Sequence, residues 1–278
     1  VNATCPELRF RILDQGVRVR CADAGLRNLL LANFAAFEDS GADVTLDYSV
    51  SRRPGGFCIS RNDERVVEES DDEAIGYLVV YTLEKLLTLD LQHLRTDLFF
   101  VHSAALERRG RVIMIAADSG TGKSTTSWAL LQHGFRYLSD ELAPIDPVRL
   151  DVHPYPHALC LKAAPPGPYP LPDSTLRTER TLHIPVAGLP TAPVMRPASL
   201  GALLFLRRDS RVTTPACAGI SPAEAGARLY ANTLNALAHP GNGLDAAIRI
   251  ATAVPAFTVS AGDLQATCEL ISTLEDAL

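Results

Sequence analysis

The chain has 278 residues, 47% of them hydrophobic and 21% charged, which is enough apolar material for one large domain or two small ones. A net charge of −6 and a pI near 5.6 argue against broad nucleic-acid binding, which calls for a basic face. No run of about twenty uncharged apolar residues occurs, and Val1 to Glu7 lacks the basic-then-apolar pattern of a signal segment. A cytoplasmic protein without a membrane span is expected. The six cysteines are scattered with no C-x-x-C pair, so they read as buried free thiols rather than a metal or redox centre.

From the N-terminus, Leu8, Phe10 and Ile12 alternate with Arg9 and Arg11, and alternation resumes at Val17 and Val19 beyond Asp14-Gln15-Gly16. That is a hairpin signal. Leu26, Leu29, Leu30, Phe34 and Phe37 give a helical stripe, followed by strand-like Val44 to Val50 and Phe57 to Ile59. Ser70-Asp71-Asp72-Glu73 reads as a capping box for a helix with an apolar stripe from Ile75 to Leu87. Residues 1–95 are therefore expected to form an N-terminal α+β region and 96–278 a catalytic domain, with the helix between them blurring the boundary.

A short apolar strand, Asp97 to Val101, ends at His102, and a lone histidine at a strand end is more commonly structural than catalytic. The stretch around which the chain is organised comes next. Val112 to Ala116 is an apolar strand, Ala117-Asp118-Ser119-Gly120-Thr121-Gly122-Lys123-Ser124 a glycine-rich loop, and the segment from Thr125 to Gly134 a helix with a glycine stop. Such a loop turns successive backbone N–H groups around phosphate oxygens, which requires glycine where a side chain would block the approach. Ser119, Gly120, Thr121, Gly122, Lys123, Ser124 and Thr125 are the candidate nucleotide-binding residues. Lys123 is placed to reach the β- and γ-phosphates, and the Ser124 hydroxyl to hold Mg²⁺. The strict pattern has Gly where this chain has Ala117. Only three lysines occur in the chain, and one of them is here. Phe135 to Ser139 is a second short strand ending in Asp140-Glu141, which a parallel crossover would bring to the same sheet edge as the loop.

The loop residues Ser119 to Ser124, the Ser139-Asp140-Glu141 pair and Val101-His102-Ser103-Ala104 together resemble the catalytic domain of the HPr kinase/phosphorylase family, bacterial serine kinases related in fold to phosphoenolpyruvate carboxykinase. The match is clear over about Phe99 to Asp146. It implies an α/β fold with a P-loop core of that type, here behind an N-terminal α+β extension, and raises His102 to a candidate that contacts the transferred phosphoryl group or orients the neighbouring carboxylate. Two departures stand out. The family pair is usually two aspartates, and its downstream Glu-(Ile/Val)-Arg-Gly-Leu-Gly element has no counterpart between Asp146 and Leu278. The resemblance thus implies a kinase-like relative of the sort found beside peptide-modification and exopolysaccharide genes, including some lasso-peptide pathways.

On this reading the reaction is transfer of the γ-phosphoryl group of ATP to a hydroxyl, with a serine on a peptide or protein as the expected partner. Lys123 and the loop hold the phosphates, Ser124 and Glu141 serve Mg²⁺, and Asp140 accepts the hydroxyl proton, with Asp140 and Glu141 open to exchange. A small-molecule hydroxyl kinase, a nucleotide-operated switch or ATPase, and a degenerate binding module suggested by Ala117 and Glu141 remain rivals, and a homo-oligomer is compatible with all of these. Farther on, His153 and His157 have metal-like spacing, but Pro154 and Pro156 exclude a helix, so a surface turn is expected. Lys162 and Arg180 are candidate substrate contacts within or beside a proline-rich stretch, about 163–198, expected to be an irregular lid or substrate loop. Leu200 to Leu206 reads as a buried strand, Ser221-Pro222-Ala223-Glu224 opens a helix to about Ala238 carrying Asn232 and Asn235 as possible substrate contacts, and a strand at Ala256 to Val259 and a helix from Asp263 close the chain.

Overall fold

The computed structural model describes residues 5–71, 73–208 and 214–278. Val1 to Thr4 of the N-terminal reading and Asp72 of the expected capping box lie outside the described residues.

The hairpin expected near the N-terminus is β1 (Glu7–Ile12) and β2 (Gln15–Cys21), paired antiparallel with Phe10 opposite Val17. Leu13 and Asp14 close it at φ 47° and 65°, the two-residue turn whose twist matches that of the strands. α1 (Ala24–Phe34) starts where the Asp23 side chain accepts the Leu26 N–H at 2.9 Å. β3 (Leu46–Arg53) returns parallel to β2, and β4 (Gly56–Arg61) and β5 (Glu64–Glu69) complete a sheet ordered β1-β2-β3-β4-β5. β5 was not legible in the sequence because this mostly exposed edge strand carries only Val66 and Val67 as apolar residues.

α2 (Ile75–Leu94) lies against this sheet and buries Val79, Leu83, Leu87 and Leu91 with Phe10, Phe34, Tyr48 and Phe57. Asp90 on the helix accepts from both the Tyr48 hydroxyl and the Arg61 guanidinium, which fixes the helix to β3 and β4. The same apolar cluster continues past residue 95 into Leu98, Phe100, Leu142 and Tyr155. The start of α2 corrects the expected capping box. Its first residue is Ile75, the Ala74 cap makes no side-chain hydrogen bond, and the N–H groups of Gly76 and Tyr77 are instead taken by the Glu179 carboxylate at 3.4 and 3.0 Å. A distant acid thus does the work that the helix dipole and orphan donors assign to a local one. Burial pushes the Glu179 carboxyl up, but these backbone donors outweigh it and hold the group below its ordinary range. Glu179→Ala is expected to cost about 1 kcal/mol, the usual worth of a lost cap, read as a lowered urea midpoint. The difference should vanish as pH falls through the depressed Glu179 pKa.

The second sheet carries β6 (Phe99–Val101), β7 (Ala104–Arg108), β8 (Arg111–Ala117), β9 (Arg136–Ser139), β10 (Ala143–Ile145), β11 (Asp151–Val152), β15 (Ala198–Arg208), β16 (Ala216–Gly219) and β17 (Ala256–Ala261). Its order is β6-β10-β11-β15-β8-β7-β9, with β17 beside β15 and β16 beside β17. α3 (Lys123–Gln132) and α6 (Leu264–Asp276) cover one face, where Trp128, Leu130 and Ile271 meet Ile113, Ile115 and Leu204. α4 (Pro222–Ala231) and α5 (Leu244–Ala253) cover the other, where Leu229 and Ile250 meet Met114, Leu203 and Phe205. Trp128 is a fully buried core residue.

Two expectations about the second half change. The helix beginning at Ser221 ends at Ala231, not Ala238, because Asn232 caps it and Asn235 turns away to bond β6: its Oδ1 accepts the Phe100 N–H and its Nδ2 donates to the Leu98 carbonyl, both at 2.9 Å. Asn235 is therefore a buried structural residue rather than a substrate contact. The proline-rich stretch is also more regular than its sequence suggests. β13 (Leu176–Arg177) and β14 (Leu182–Ile184) join β12 (Leu159–Leu161) in a small antiparallel sheet. His183 of β14 is buried with Nδ1 2.7 Å from Asn33 Oδ1 on α1, and the Val194 N–H reaches the Tyr137 carbonyl at 2.8 Å. Among the described residues no helix is long and apolar enough to cross a membrane.

Candidate active site

The loop forms as its sequence demands. β8 ends at Ala117, Gly120 and Gly122 adopt φ 83° and 109°, and α3 begins at Lys123. Both glycine angles lie in the left-handed region that side chains rarely enter, and a Cβ at either position would meet nothing within 4 Å, so backbone angle rather than crowding selects glycine here. Asp118, Ser119 and Gly120 are exposed, and Thr121, Gly122, Ser124 and Thr125 are half-buried at the head of α3. At the far end α3 closes on Gly134 (φ 84°), with Phe135 N–H on the Leu130 carbonyl and Gly134 N–H on the Leu131 carbonyl, the paired bonds of a Schellman stop.

Sheet order brings the acids to this loop. β7 runs antiparallel between β8 and β9, so β8 and β9 are mutually parallel and their C-terminal ends share one edge. Asp140 and Glu141 leave β9 there. The antiparallel register of β6 with β10, Val101 opposite Ala143, then sets His102 beside Glu141. The His102 N–H is fixed on the Asn232 carbonyl at 2.8 Å, so Asn232 touches the site through its backbone.

Lys123 is only 8% exposed. Its Nζ donates to the Asp140 carbonyl and lies 3.5 Å from Glu141 Oε2. His102 Nδ1 is 3.1 Å from the Glu141 carbonyl and 3.4 Å from Glu141 Oε2. Burial and the neighbouring Lys123 ammonium hold the His102 imidazole below its ordinary pKa, which favours a neutral ring donating Nδ1–H to the carbonyl. Burial pushes the Glu141 carboxyl up; Lys123 opposes this and Asp140 adds to it, with a raised value as the result.

The two acids differ sharply in access. Glu141 keeps 39% of its side chain exposed, whereas Asp140 is fully buried. Asp140 Oδ1 accepts the Tyr137 hydroxyl at 2.7 Å, while its Oδ2 is buried without a hydrogen-bond partner. Behind it sits His157, also buried, with Nε2 3.4 Å from Asp140 Oδ1 and 3.4 Å from Glu84 Oε1 of α2. Burial pulls the His157 pKa down, but Glu84, Asp140 and Glu141 outweigh it and raise the value. The expected surface turn at His153 to His157 is thus corrected. Pro154 and Pro156 do break any helix, yet the segment turns inward and Tyr155, Pro156 and His157 are all buried.

Of the residues singled out from the sequence, the structure gathers Ser119 to Thr125, Asp140, Glu141 and His102 at one sheet edge. Lys162 is exposed just past β12. Arg180 is 3.3 Å from Asp71 and stands over the Tyr77 ring at 5.4 Å, beside the start of α2. Tyr137, His157 and Glu84 were missed. Tyr137 lies three residues before Asp140 on a strand already recognised, and His157 abuts the apolar run Ala158 to Leu161, so each carried some signal of burial. Glu84 carried none, since it reads as a polar position between apolar stripe residues.

Among the described residues no group of three or more His, Cys, Asp or Glu side chains could hold a metal by itself. Mg²⁺ commonly takes only one or two side-chain oxygens and completes its shell with phosphate and water. The residues here fit that use: Ser124 offers a hydroxyl at the loop, and Asp140 Oδ2 is an anionic oxygen with no partner.

Comparison with known proteins adds little. No family model matches the chain, and no curated protein matches its sequence. The solved structure of the Hpr(Ser) kinase/phosphatase from Coxiella burnetii is similar, with 12% identity, coverage of 64% of this chain and 94% of that one, and a TM-score of 0.34. That protein bears the family name which the loop and acidic pair resemble. At this distance the site is read from the geometry of this chain alone.

Proposed function

We propose that this chain is a nucleotide-dependent phosphotransferase that moves the γ-phosphoryl group of ATP to a hydroxyl, with serine of a peptide or protein as the acceptor. The observation that carries the reading is the glycine loop at the head of α3, with Lys123 drawn between the loop and the carboxylate of Glu141. Phosphoryl transfer needs positioned donors and charge neutralisation more than covalent chemistry, and this edge of the sheet supplies both.

The loop N–H groups and Lys123 bind and orient the phosphates, Lys123 exchanging its contact with the Asp140 carbonyl for phosphate oxygens. Ser124 and Asp140 Oδ2 hold Mg²⁺, which when bound neutralises charge on the phosphate oxygens. Glu141, the accessible acid with raised proton affinity, takes the proton of the acceptor hydroxyl. These roles exchange those first expected of Asp140 and Glu141, because Glu141 is the exposed acid of the two and an acceptor chain needs more room than a metal ion. His102, neutral and touching Glu141, orients it.

The test is transfer of label from γ-labelled ATP to the peptides and proteins encoded beside the gene, with Glu141→Gln as control. Label on serine that is lost in the control is the expected result. Label on a small hydroxyl compound would replace the peptide acceptor, and slow release of free phosphate alone would favour a nucleotide switch.

A further inference from the structure

On the proposed reading of the site, we infer that α2, an element of the N-terminal region, is part of the reaction centre: Glu84 and His157 are positioning residues that lock Asp140 with its Oδ2 turned free for Mg²⁺. One imidazole nitrogen, His157 Nε2, faces Asp140 Oδ1 and Glu84 Oε1 at the same 3.4 Å distance. Tyr137 donates to that same Oδ1 at 2.7 Å. The Tyr137 hydroxyl therefore holds one carboxylate oxygen with His157 Nε2 standing beside it at ion-pair distance, hydrogen-bonded neither to it nor to Glu84, and the other oxygen is left unpartnered inside the protein.

A structural role alone would be served as well by apolar residues at 84 and 157, and Leu87 and Leu91 fill the core side of α2 in that way. The path from Asp140 to Glu84 instead runs through the polar side chain of buried His157. A ligating carboxylate whose second oxygen is held by protein donors is the outer-shell arrangement that orients a metal ligand, and removing such partners commonly costs about ten- to a hundredfold in metal affinity or activity.

Glu84 lies on a helix gripped at three levels. Its N-terminal N–H groups sit on Glu179, its middle reaches His157, and Asp90 near its end binds Tyr48 and Arg61.

The experiment compares the full chain with Glu84→Gln, His157→Gln and the double variant, and uses Asp90→Asn as a control on the same helix. Turnover of ATP, affinity for ATP and affinity for Mn²⁺, the probe for the Mg²⁺ position, are measured in the presence of nucleotide. Each single variant is expected to lose about tenfold or more in kcat and in Mn²⁺ affinity, with the KM for ATP within about twofold. The double variant should lose little more than either single one, because the two residues act through one contact chain. Asp90→Asn should lower the melting temperature while leaving kcat and Mn²⁺ affinity unchanged.

Wild-type kcat and Mn²⁺ affinity in both single variants, or fully additive losses in the double, would overturn the inference and leave the phosphotransferase reading standing. An equal loss of kcat in Asp90→Asn would also overturn it, since general loosening of α2 would then explain the effect. A wild-type protein that neither binds nor turns over ATP would remove the phosphotransferase reading itself, and this inference with it.

Discussion

Glu141→Gln is expected to lower kcat by about a hundredfold or more, the usual contribution of a positioned general base, while the affinity for ATP stays near that of the wild type. The substitution keeps the size of the side chain and its reach toward His102 and Lys123 but removes the group that accepts a proton. Burial raises the Glu141 carboxyl, with Lys123 opposing and Asp140 adding. A raised carboxyl pKa means that the base is lost by protonation at a higher pH than an ordinary glutamate. Wild-type kcat should therefore fall on the acid side with an apparent pKa above the ordinary carboxylate range, and the residual activity of Glu141→Gln should show no such limb. Wild-type turnover in the variant would move the role of base back to Asp140.

Lys123→Met is expected to weaken ATP binding and to reduce kcat by about a hundred- to a thousandfold, comparable with loss of one charge-stabilising donor in a water-poor site. Lys123 is 8% exposed, and its ammonium is shared between the Asp140 carbonyl and Glu141. Removing it takes away the cation that lowers the Glu141 pKa and helps depress that of His102. Both values should rise. The acid limb of any remaining activity should then lie at higher pH than in the wild type, which distinguishes loss of a charge from simple loss of packing. Undiminished ATP affinity in Lys123→Met, measured by calorimetry, would leave every nucleotide-based reading without its central residue.

The two substitutions probe parts of the site that were legible to very different degrees. The strand, loop and helix from Arg111 to Gln132 follow from a contiguous run of residues, as do the Gly134 stop and the acidic pair at the end of the next strand. His102 was marked by its neighbours in the chain. The unequal character of Asp140 and Glu141 was not visible, because what separates them is burial, and Asp140 faces Tyr137 and the sequence-distant His157 inside the protein while Glu141 keeps part of its side chain exposed. The capping of α2 was misread for a related reason. Ser70 to Glu73 has the composition of a cap, yet the donors of Gly76 and Tyr77 are met by Glu179, which belongs to a turn more than a hundred positions later.

The sequence by itself determined the glycine-rich loop, the helix behind it and the acids that follow, because these depend on backbone angles and hydrogen bonds between near neighbours, where residue type is decisive. Only the tertiary structure decided which acid is buried and which exposed, that His157 faces inward, and that Glu84 of α2 lies beside His157. Those outcomes depend on sheet order and on charges brought together across the chain, and the energy that selects them resides in contacts no local pattern encodes.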